Sequence, residues 1–82
     1  MPEHTQSPEE LDEEKRLRRL RFTVGLTMSI ISQGNLSLEE ASRMVTATRE
    51  LALRLFPGKE EAFDMIYLPR LRRLLQEKYL LQ

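Results

Sequence analysis

Apolar residues recur every three or four positions through most of this chain, and three stretches carry the pattern far enough to predict helices. In the clearest, Leu38, Ala41, Met44, Val45, Thr48, Leu51, Ala52, Leu55 and Phe56 fall on one side of a helical wheel, with Glu39, Arg43, Glu50 and Arg54 opposite. Ser37 and Glu40 have the spacing of a capping box that starts this helix, and Pro57-Gly58 stops it, giving bounds of about 37–56. The same start signal stands at Ser7-Pro8-Glu9-Glu10, where Pro8 suits the first helical position. It opens a longer helix expected over 8–33, with Gly34 as a left-handed residue that ends it.

A third helical stretch, about 59–80, presents Phe63, Ile66, Tyr67, Leu71 and Leu74 on its apolar side. Pro69 interrupts it, because proline lacks an amide proton and crowds the carbonyl of Met65. A kink is expected rather than a split, since no good N-cap residue precedes Pro69. Nothing alternates long enough to read as a strand. The fold class expected is all-α: a small three-helix bundle over residues 7–82, with antiparallel neighbours joined by short loops and a disordered tail at 1–6.

The first helix is apolar on more than one side. Leu17, Leu20, Val24, Met28 and Ile31 form a seam at helical spacing, while Phe22, Leu26 and Ile30 lie on nearly the opposite side. Such a helix must be covered twice, by the other two helices or by a second chain. A domain of 82 residues buries only roughly 60–65% of its unfolded surface, so it has few elements for the task. Phe22, Leu26 and Ile30, with Tyr79 and Leu80 from the apolar end KYLLQ, are therefore the candidate self-association or partner surface.

Charge refines this picture. Thirteen basic and thirteen acidic residues cancel, which argues against a general polyanion binder. Their distribution is uneven: residues 1–14 hold six acidic groups, residues 15–21 hold five basic ones, and 70–78 hold four against Glu77. The pentapeptide RLRRL occurs at Arg16–Leu20 and again at Arg70–Leu74, without a wider repeat around it. The first copy follows acidic residues, and Asp12–Arg16 and Glu14–Arg18 have the spacing of helical ion pairs. The second has no acid in the preceding turn, so Arg70, Arg72, Arg73 and Lys78 are the candidate surface for an anionic partner.

Catalytic and metal chemistry finds few parts. There is no cysteine, and His4, the single histidine, stands in the expected tail. LFPGKEE lacks the first glycine and the Ser or Thr of a phosphate-binding loop. Glu60, Glu61 and Asp64 cluster at a helix start, where acidic groups complement the dipole. NLSLEEASRMV resembles the first helix of helix-turn-helix domains, yet TATRELALRLF continues the same helix where a turn and recognition helix are required. No secretory signal is read at MPEHTQSPEE, and the uncharged run FTVGLTMSIISQGNLSL has too short an apolar part to span a membrane.

The expected protein is a cytoplasmic helical interaction module without catalytic activity or cofactors. Its partner is another protein or its own second copy, most simply as a homodimer, and no membrane is involved. The alternative is a nucleic-acid-binding accessory protein using the clusters Arg16–Arg21 and Arg70–Lys78.

Overall fold

The computed structural model describes residues 7–80. The tail expected at 1–6 lies outside them. Among the described residues the chain is all-helical. It has four α-helices, α1 (Pro8–Gln33), α2 (Leu38–Leu55), α3 (Glu60–Ile66) and α4 (Leu68–Leu75), and a π-helical turn at Gln76–Leu80.

Both long helices start on capping boxes. Ser7 N donates to Glu10 Oε1 at 2.9 Å and Glu10 N to Ser7 Oγ at 3.1 Å. Ser37 and Glu40 repeat the exchange at 2.8 and 3.1 Å. Each box supplies two partners that helix geometry leaves wanting, which stabilises a helix start by about 1 kcal/mol.

The end of α1 differs from expectation. Gly34 is extended, with φ −88° and ψ 171°, and not left-handed. What selects glycine is close approach: a Cβ there would stand 2.7 Å from the Ile30 carbonyl oxygen. Gly34 N donates to that same oxygen at 2.8 Å. The left-handed glycine is Gly58, at φ 81°, in the turn after α2.

The third helical stretch is divided at Tyr67, with Leu68 and Pro69 opening α4. Tyr67 keeps helical torsions and provides no side-chain cap, so the break is local and follows from the missing Pro69 amide. The π-helical turn beyond Leu75 is a feature that periodicity did not foretell.

α1 packs on α2 and α4, and α2 packs on α3 and α4. Arg16 near the start of α1 reaches Leu55 at the end of α2, while Thr27 meets Thr48 near the middle. The two helices therefore run in opposite directions. The core consists of Leu20, Val24 and Ile31 from α1, Ala41, Val45 and Ala52 from α2, Phe63 from α3 and Leu71 from α4. Ile31 and Leu71 are wholly buried. Burial of a large aliphatic side chain contributes roughly 1.5–3 kcal/mol. Leu17 and Met28 of the expected seam pack half-buried against this core.

Two polar contacts fix the register. Thr27 Oγ1 and Thr48 Oγ1 share a buried hydrogen bond of 2.6 Å across α1 and α2. Arg49 of α2 holds Asp64 of α3 by a bidentate pair, at 2.8 and 3.0 Å.

Candidate self-association surface

The inward seam of α1 is covered and the opposite strip is not. Phe22 is 68% exposed, Leu26 47% and Ile30 39%. They follow one another at four-residue steps, so they form one ridge along the second half of α1. No charged residue occurs between Arg21 and Glu39, so this ridge faces solvent without a charge of its own. On α2 the exposed side carries Glu39, Arg43, Glu50 and Arg54, as an ordinary solvated helix does.

The two C-terminal candidates separate from this ridge. Tyr79 is half-buried and its hydroxyl donates to the Leu36 carbonyl oxygen at 2.8 Å, so it docks on the loop after α1. Leu80 is exposed beside it at the end of the described chain.

The structure also divides the anionic-partner candidates. Arg70, Arg72 and Arg73 are exposed on α4, and Arg73 Nε lies 3.3 Å from Glu77. Lys78 does not join them. Its ammonium donates to the carbonyl oxygens of Ile31, Ser32 and Gly34, at the negative end of the α1 dipole. This corrects its placement on an anion-facing surface: its charge is spent on backbone oxygens that α1 cannot satisfy itself.

The first RLRRL copy changes in the same way. Arg18, Arg19 and Arg21 are exposed, but Arg16 is half-buried. It donates from Nη1 to the Leu55 carbonyl oxygen at 3.2 Å and lies over the Phe56 ring, 5.3 Å from its centre. Its pairing with Asp12 is loose, at 3.9 Å. Thus Arg16 finishes α2 as Lys78 finishes α1. Both roles escape sequence reading because their targets are 39 and 47 residues away. The available signal was register: Arg16 stands one turn before buried Leu20, and Lys78 two turns after buried Leu71.

Hydrogen bonds from Arg49 hold the Asp64 carboxyl below its ordinary range, and the carboxylate in turn raises the Arg49 guanidinium further. The Ser37 amide and hydroxyl lower Glu40. Each shift accompanies a salt bridge or cap that holds elements together. A cavity of about 300 Å³ opens between α1, α2 and α3, lined by Leu17, Leu20, Phe56, Phe63 and Ile66 among others, with Lys59 and Tyr67 as its polar members.

Among the described residues, no helix is long and apolar enough to cross a membrane. Comparison with protein-family models, with curated proteins and with solved structures finds no match to this chain.

Proposed function

We infer that this chain is a non-catalytic helical interaction module of the cytoplasm that works by self-association, its protein partner being first of all a second copy. In this reading α3 and α4 act as one broken arm, and the fold is a three-helix bundle that leaves one side of α1 for the second copy. The observation that carries it is the exposed ridge of Phe22, Leu26 and Ile30. A small core makes such a ridge costly to leave in water, and covering it stabilises the chain by mass action.

Size-exclusion chromatography with light scattering tests the reading. The wild type is expected to elute as a dimer at high concentration, and the Phe22→Glu, Leu26→Glu double variant as a folded monomer. Unchanged association of that variant would remove α1 from the interface. The alternative, nucleic-acid binding, draws support from the exposed Arg70 and Arg72. It requires retention on DNA or RNA at low salt that falls steeply as salt rises.

A further inference from the structure

The hydrogen bond between Thr27 and Thr48 marks the seam where α1 and α2 touch. Each threonine separates two flanks of its helix. Inward, Val24 and Ile31 on α1 and Val45 and Ala52 on α2 are buried. Outward, the corresponding positions are Thr23 and Ile30 on α1, and Met44 and Leu51 on α2. Ile30 is exposed and the other three are half-buried. Leu26 lies between Thr23 and Ile30, and Ala47 between Met44 and Leu51, both exposed. The outward side of the pair is therefore an apolar face two helices wide, with Leu26 and Ala47 on its two crests and the exposed Arg43 and Arg54 along its α2 edge.

The ends of this face differ in sign. Arg19 stands two turns before Leu26 on the same stripe, Glu40 two turns before Ala47 and Arg54 two turns after it; all three are exposed. Since α1 and α2 run in opposite directions, the two arginines mark one end of the face and the glutamate the other. The capping box of α2 uses one carboxylate oxygen of Glu40.

We propose that this two-helix face docks a second copy of the chain, related by a two-fold axis lying in the interface and perpendicular to the helices. That operation stacks each helix antiparallel on its own counterpart, so the Arg19 and Arg54 end of each copy meets the Glu40 end of the other, and the apolar rows lie on one another in the middle. Area points to the same occupant. A stable dimer buries roughly 800 Å² per partner, more than three side chains on one helix supply. A face about 20 Å across and as long projects about 400 Å², to which the relief of its side chains adds accessible area, so it comes nearer that value than a single helix does.

The proposal rests on the self-association reading, and the experiment separates the two. Sedimentation equilibrium compares the wild type with Leu26→Glu and Ala47→Glu. Ala47 is exposed on α2 and glutamate is a good helix former, so this variant keeps its fold, as circular dichroism verifies. Both variants are expected to weaken the dimer at least about 100-fold, because each dimer would bury two like carboxylates close together in its middle. The chain has no cysteine, so Ala47→Cys should oxidise cleanly to a linked dimer, and faster than Glu50→Cys on the charged side. If Leu26→Glu dissociates while Ala47→Glu dimerises like the wild type, the two-helix face is overturned and the α1 ridge stands. Equal oxidation of the two cysteine variants also overturns this docking. A monomeric wild type overturns both readings.

Discussion

Removing the Thr27–Thr48 contact one hydroxyl at a time gives a sharp test of how α1 and α2 are registered. Alanine is the right replacement, because the two oxygens are 2.6 Å apart and two methyl groups would need about 3.5–4 Å. Thr27→Ala deletes a buried methyl, which costs about 1 kcal/mol. It leaves Thr48 Oγ1 without its partner across the seam, which costs about 1–3 kcal/mol. Better helix propensity returns roughly 0.6 kcal/mol. The net loss is about 2 kcal/mol, and the same arithmetic applies to Thr48→Ala. In the double variant no hydroxyl is stranded, so the loss should be about 2 kcal/mol rather than the sum of about 4. Urea unfolding followed by circular dichroism, at one fixed protein concentration, measures all three. A cycle that closes additively within about 0.5 kcal/mol would refute the claim that these hydroxyls satisfy each other.

Further outcomes follow from the helix ends and the charged contacts. Lys78→Met keeps the aliphatic stem but strips the cap from α1, and should lower stability by about 1–2 kcal/mol, seen as a drop in melting temperature of roughly 4–16 °C. An unchanged melting temperature would mean that water replaces the ammonium at no cost. The glycines should respond with opposite signs. Gly25→Ala meets nothing within 4 Å and should stabilise by roughly 0.5–1 kcal/mol, while Gly34→Ala drives a methyl onto a backbone oxygen and should destabilise by about 1–2 kcal/mol. Equal effects in thermal melts would contradict the close approach at Gly34. Asp64 and Glu40 have lowered folded values, so their contributions are present above the ordinary carboxylate range near 4 and disappear as pH falls through the folded values. Arg49→Met removes the Asp64 share, so its stability should fall less between pH 7 and pH 3 than that of the wild type. The same acid loss in both would show that the pair contributes nothing.

The elements that sequence reading placed well are those whose causes are local. Ser7 with Glu10 and Ser37 with Glu40 are three-residue signals, and the bounds of α1 and α2 follow from them. The buried seam of Leu20, Val24 and Ile31 likewise follows from period alone. Gly34 is a local miss: it is set by the Ile30 carbonyl four residues before it rather than by a left-handed turn, which no single-residue preference distinguishes. Where distant residues decide, reading failed as well. Arg16 and Lys78 read as solvated charges until packing brings the open ends of α2 and α1 to them. The candidate surface was half legible: the ridge of α1 shows in the sequence as a second apolar stripe. The α2 half, Met44 and Leu51, reads as ordinary core, because period cannot say which edge of a wide stripe stays half-covered.

Sedimentation equilibrium of the wild-type chain, from micromolar to millimolar concentration, decides whether it self-associates. The expected result is a mass rising from that of one chain, 9.7 kDa, toward twice that value and levelling there. A mass that stays at one chain throughout would contradict it, and the ridge of Phe22, Leu26 and Ile30 would then need another explanation.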